Sequence, residues 1–128
     1  ERDERKKQQS DSGGDPGLAG RLAGQIDASE RFIFACVINS DGETLASTAT
    51  PKEHGEALRR VERSIAAFIK RYGDPRPARM LLEDERFCLV LGPLGEGQFV
   101  LAAAPAETRM GMLPLALTRL IEGLTRAN

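Results

Sequence analysis

The chain has 128 residues, with 18 Lys and Arg against 19 Asp and Glu, for a formal net charge of −1. That length fits one domain plus a tail better than two domains, and the balanced charge excludes the strongly basic footprint of a nucleic-acid binder. Hydrophobic residues make up 41%, an ordinary globular share, and no apolar run approaches the roughly 18 residues needed to cross a bilayer.

Glu1 to Asp15 contains charges and then Gln-Gln-Ser-Asp-Ser-Gly-Gly-Asp, with no apolar residue to bury. Such a segment cannot offset its ordering entropy, so residues 1–15 are expected to be a disordered charged tail or linker, and 16–128 the folded domain. The N-terminus lacks a signal-peptide pattern, and the missing initiator Met points to a chain processed or cut from something longer. Asp15-Pro16 reads as a helix start. Leu18, Leu22 and Ile26 follow at helical spacing, beside a stripe of Gly17, Gly20 and Gly24. Each glycine costs about 1 kcal/mol relative to Ala. This helix is therefore expected to persist by lying close against a sheet.

Phe32 to Ile38 is apolar at every position, which predicts a central strand covered on both faces. Asn39-Ser40-Asp41-Gly42 predicts a tight turn with Gly at a positive φ, and Thr44 to Ser47 a weaker edge strand. Thr50-Pro51-Lys52-Glu53 has the form of a capping box. It predicts a helix to about Tyr72, stopped by Gly73. Leu58, Val61, Ile65, Phe68, Ile69 and Tyr72 gather on one face of that helix at about 100° per residue. Arg59, Arg60, Arg63, Lys70 and Arg71 gather on the other.

Asp74 to Pro77 breaks the chain, and three strands are expected at Arg79 to Glu83, Arg86 to Leu91 and Gln98 to Ala104. The first hairpin turns at Asp84-Glu85 and the second through a flexible Gly92–Gly97 loop. A final helix is expected from about Thr108 to Arg126, buried through Met110, Leu113, Ala116, Leu117, Leu120, Ile121 and Leu124. Pro114 must lie in its first turn, because deeper it would cost about 3 kcal/mol. The two strands apolar on both faces belong at the sheet's centre. The expected architecture is thus α-β-β-α-β-β-β-α, with a five-stranded antiparallel sheet in order 2-1-5-4-3 and helices on both faces.

The sequence offers no catalytic, cofactor or metal constellation. His54 is the sole histidine, reads as a solvated surface residue, and lacks the second and third groups of a nucleophile–base set. Glu83, Asp84 and Glu85 fall on a wet turn, which does not drive paired carboxylates apart in pKa. Gly-Pro-Leu-Gly-Glu-Gly (92–97) lacks the Gly-Lys-Ser/Thr of a phosphate loop and joins two strands. Cys36 and Cys88 sit in apolar runs as buried reduced thiols, without zinc-site spacing, and fit a reducing cytoplasm. The basic face of the long helix (Arg59, Arg60, Arg63, Lys70, Arg71) is either solvated or an electrostatic docking surface for an acidic partner. It has no aromatics for nucleic-acid bases or for membrane insertion.

The order of elements resembles the roadblock/dynein light chain family, including the bacterial and archaeal members that regulate Ras-like GTPases. Val-Ile-Asn-Ser-Asp-Gly-Glu-Thr-Leu-Ala-Ser (Val37 to Ser47) is similar to the family's strand, Asp-Gly turn and short second strand. Arg-Met-Gly-Met-Leu-Pro-Leu-Ala-Leu-Thr-Arg-Leu (Arg109 to Leu120) is similar to the Leu-Gly opening of its last helix. Pro114 and the glycine-rich first helix depart from the pattern.

The resemblance covers about Gly17 to Leu124 and implies a non-enzymatic protein that works by association. By resemblance, two copies, or this chain and a paralogous roadblock subunit, pair through the third strand and second helix. Here those are Arg79, Met80, Leu81, Leu82 and Glu83, with the small positions Ala57, Ser64 and Ala67. The pair would then bind a Ras-like small GTPase or serve as a scaffold. The other reading is a small-molecule-sensing module on a profilin-like or PAS-like sheet, which would need an interior cavity.

Overall fold

In a computed structural model, residues 16–72, 79–83, 85–95, 97–108 and 110–126 are described. The expected tail 1–15, the Gly73 stop and the 74–77 break lie outside them, as do Asp84 and Glu96. Among the described residues the order is α1 (Pro16–Ser29), β1 (Phe34–Asn39), β2 (Thr44–Ser47), α2 (Gly55–Tyr72), β3 (Met80–Glu83), β4 (Phe87–Gly95) and β5 (Gln98–Pro105). A 3-10 turn (Met110–Met112) then leads into α3 (Leu113–Arg126). The strands form one antiparallel sheet in the expected order β2-β1-β5-β4-β3.

Strand alternation explains why the sheet needs helices on both faces. β1 and β5 pair from Phe34↔Ala103 to Asn39↔Gln98, so both lie buried in the middle. Ala35, Val37, Val100, Ala102 and Ala104 point to one core, where Leu18 and Leu22 of α1 meet Leu113, Leu117 and Leu124 of α3. Phe34, Cys36, Ile38, Phe99 and Leu101 point to the other, under Leu58, Ile65 and Ile69 of α2. Each large apolar side chain among them contributes about 1.5–3 kcal/mol on burial. Alanines on the first face leave room for two helices; the bulkier second face meets one.

Local chemistry sets the joints. Asn39 staples the β1–β2 turn: its side-chain oxygen accepts from the Asp41 and Glu43 amides, and its amide donates to Glu43. Gly42 there has φ 83°, as its place in the turn predicts. After β2, Thr48 extends the pairing, its hydroxyl accepting from Ala35 N–H and its own N–H donating to the Ala35 carbonyl. Pro114 sits in the first turn of α3.

Several expectations are corrected. The glycines of α1 do not mediate close packing: Gly17, Gly20 and Gly24 are exposed, and a Cβ at Gly20 or Gly24 would meet nothing. Leu18, Leu22 and Ile26 alone carry the helix onto the core. α2 begins at Gly55, after a turn closed by His54 N–H on the Pro51 carbonyl, and Glu53 is exposed rather than part of a cap. Phe68 and Tyr72 are exposed, because the buried stripe of α2 runs through Leu58, Glu62, Ile65, Ala66 and Ile69 instead. The expected loop at 92–97 is largely ladder. Gly92 pairs with Val100 and Pro93 with Phe99, and a register shift between Pro93 and Gly95 absorbs the extra residue. Gly92 lets α3 sit close there: a Cβ would lie 2.8 Å from Leu117 Cδ2, so that side chain would have to shift. His54 is half-buried, its ring edge-on to Phe87 at 5.1 Å.

Candidate interaction surface

β3 is the open edge of the sheet. Its partner is β4, from Met80↔Leu91 to Glu83↔Cys88, and its outer side has no strand beside it among the described residues. Alternation sends Met80 and Leu82 to the face under α2, and Leu81 to the face carrying α1 and α3. Met80 packs half-buried on the α2 core. Leu81 and Leu82 remain 42% and 40% exposed, one on each face of the strand, and Glu83 is exposed beyond them. Arg79 reaches across to α3 and donates to the Thr118 hydroxyl at 3.4 Å. A strand edge with unpaired backbone and apolar side chains on both faces is a template for another strand.

The outer face of α2 belongs to the layer above Met80 and Leu82. Ala57 and Val61 lie half-buried on the core, and Ser64 and Ala67 are exposed. Phe68 and Tyr72, with ring centroids 5.3 Å apart, stand exposed near its C-terminal end. The periodicity of the sequence placed these two rings inward. The signal that could have turned them outward is Glu62, Ala66 and Ile69, which form an alternative stripe with Leu58 and Ile65 once a carboxylate is allowed a buried partner.

That partner exists. Glu62 is buried and accepts from Thr44 Oγ1 at 2.8 Å and from Arg59 Nη1 at 3.0 Å. Arg59 also donates to Ser47 Oγ at 3.1 Å and lies over the Phe34 ring, 5.7 Å from its centroid. Of the five cations grouped by the sequence, Arg59 is thus tied down against β2, while Arg60, Arg63, Lys70 and Arg71 are exposed. Burial, and then the neighbouring Glu62 carboxylate, push the Cys36 thiol well up against a smaller opposing pull from Arg59. Cys36 is thereby held as a neutral thiol, unsuited to nucleophilic work. Cys88 is also buried and outside any disulfide, its thiol donating to the Ala106 and Thr108 carbonyls at 3.6 and 3.7 Å. Among the described residues no three His, Cys, Asp or Glu side chains gather where a metal ion could be held. No helix there is long and apolar enough to cross a membrane.

No protein-family model matches the sequence, and no curated protein does. Solved structures do match the backbone. One is the Roadblock/LC7 domain from Streptomyces avermitilis, at TM-score 0.61 and 17% identity over 82% of this chain and 95% of that one. A second is the gliding protein MglB from Thermus thermophilus, at TM-score 0.60 and 20% identity over 85% and 89%. A third is an MglB with a tetrameric arrangement, at TM-score 0.61 and 20% identity over 85% and 88%. The chain has the roadblock/LC7 fold.

Proposed function

We propose that this chain is a non-enzymatic, dimeric regulator or scaffold whose paired form binds a Ras-like small GTPase or a larger complex. The observation that carries the reading is the β3 edge, with Leu81 and Leu82 exposed on its two faces. A second β3 laid antiparallel against it would pair the free backbone groups and cover both leucines, joining two five-stranded sheets into one. Phe68 and Tyr72 add apolar area to the same layer, with the small residues Ser64 and Ala67 allowing close approach of a second α2. The roadblock fold and its likeness to MglB support a GTPase-linked role. The exposed Arg60, Arg63, Lys70 and Arg71 supply a basic surface for an acidic partner.

Light scattering across a concentration series tests the pairing. The wild type is expected to run as a dimer, and Leu81→Lys as a folded monomer, because a lysine there meets its symmetry mate's charge. A wild type that stays monomeric at high concentration sinks the reading at its first step. Capture from the native cell with wild type and Leu81→Lys, read for a small GTPase, tests the second step.

A further inference from the structure

Six large apolar side chains stand exposed among the described residues, and four of them, Phe68, Tyr72, Leu81 and Leu82, belong to the surface already discussed. The other two, Met112 and Leu115, lie away from β3 on the layer carrying α1 and α3, where α3 begins beside the end of α1. Between those helices runs a trough of about 320 Å3. Ala28, Met112, Leu115, Ala116 and Leu120 make its apolar wall. Its charged residues are Arg31 and Arg119, and no carboxylate lines it.

Local structure holds this arrangement in place. Ser29 ends α1 with its hydroxyl donating to the Ile26 carbonyl and accepting from the amides of Arg31 and Phe32. Glu30 takes φ 62°, so the chain reverses there, sending Phe32 into the core and leaving Arg31 exposed at the trough. Neither Arg31 nor Arg119 has an ion-pair partner among the described residues. Beside the trough, Glu30 lines an adjoining hollow with Arg31 and Met112.

We propose that the trough docks an acidic amphipathic helix from a partner protein. Aliphatic side chains at helical spacing would fill the apolar wall, and carboxylates on the flanks would take the two free guanidinium forks. Leu115 is 53% exposed, which leaves the trough open along one side. That shape suits a segment laid across it rather than a molecule enclosed by it. Lying across the sheet from α2, the site needs neither the dimer nor the GTPase partner of the reading above. Both surfaces can be occupied together.

The test is selection from a displayed library of random peptides, each about 16 residues, on the immobilised full chain. Enrichment of sequences with aliphatic residues at helical spacing flanked by Asp or Glu is expected. Their binding, followed by fluorescence anisotropy, should weaken at least about tenfold for an Arg31→Glu, Arg119→Glu double variant. Leu115→Ala should weaken it several-fold, and Leu81→Lys, which reports on the dimer alone, should leave it unchanged. Circular dichroism of each variant separates lost docking from lost folding. Enrichment of basic or uncharged peptides, no enrichment, or binding indifferent to the arginine changes would overturn the proposal. So would capture of phosphatidylglycerol vesicles by this face without peptide binding, or a Leu115→Asp variant that changes only the oligomeric state.

Discussion

The two edges of the sheet are finished in opposite ways. At the β2 edge nearly every side chain is committed within the chain. Thr44 and Ser47 are bonded to Glu62 and Arg59 of α2, Leu45 and Ala46 pack into the α1–α3 core, and Thr48 closes the ladder against Ala35. At the β3 edge Leu81, Leu82 and Glu83 are exposed, with Arg79 reaching back into the molecule at α3. An edge that satisfies its own side chains has little left to offer a partner. An edge that leaves leucines in water retains the apolar area that association can bury. The contrast singles out β3 as the candidate edge for a partner better than hydrophobicity alone, because β1 and β5 are far more apolar and lie buried at the centre.

The comparison can be broken at the closed edge first. Gly42→Val combines a φ of 83° with a Cβ that would sit 2.9 Å from the Ala66 carbonyl oxygen. It should cost about 3 kcal/mol in urea unfolding, and an unchanged midpoint would mean that the turn is not pressed on α2. Glu62→Ala follows at about 2 kcal/mol, since it strands the Thr44 hydroxyl and frees Arg59. A double-mutant cycle with Thr44→Val should return a coupling of about 1 kcal/mol.

Cys36, paired with Ser47 across the same edge, sharpens the contrast through pH. The fold keeps its thiol protonated above the ordinary value of 9.0, whereas the unfolded chain ionises there. Its contribution is therefore intact below that value and erodes as pH rises, by on the order of 1 kcal/mol at pH 10 relative to a Cys36→Ala variant. Parallel stability curves for the two proteins from pH 8 to 10 would contradict the buried, neutral thiol. The open edge should respond least. Leu81→Lys is expected to change the stability of the isolated chain by under about 0.5 kcal/mol, measured at a dilution where the wild type is monomeric. A larger loss would show that Leu81 supports the monomer instead.

Strand order was legible because β1 and β5 are the runs apolar on both faces, and burial on both faces forces them to the middle. The same pattern logic failed on α2. Phe68 and Tyr72 fit the inward stripe by spacing, yet the helix is rotated so that Glu62 lies inward and the two rings lie out. Periodicity counts a carboxylate as outward-facing, and it cannot see that Thr44, on a distant strand, will supply the hydrogen bond that makes burial tolerable. The glycines of α1 misled for a related reason: small residues mark close approach only where another element comes near. The Gly-rich segment at 92–97 read as a loop because glycine and proline weaken a strand. Leu117 packs closely over Gly92, and the ladder continues through that glycine.

By itself the amino-acid order determined the number and kind of the elements, their antiparallel pairing and the identity of the central strands, since these follow from local periodicity and turn chemistry. Only the tertiary structure decided the rotation of α2, the burial of Glu62 and which of five cations stay exposed. It also decided that α1 and α3 leave a basic, apolar trough between them. Those outcomes depend on which side chains from remote positions meet, and that is set by three-dimensional packing rather than by spacing along the chain.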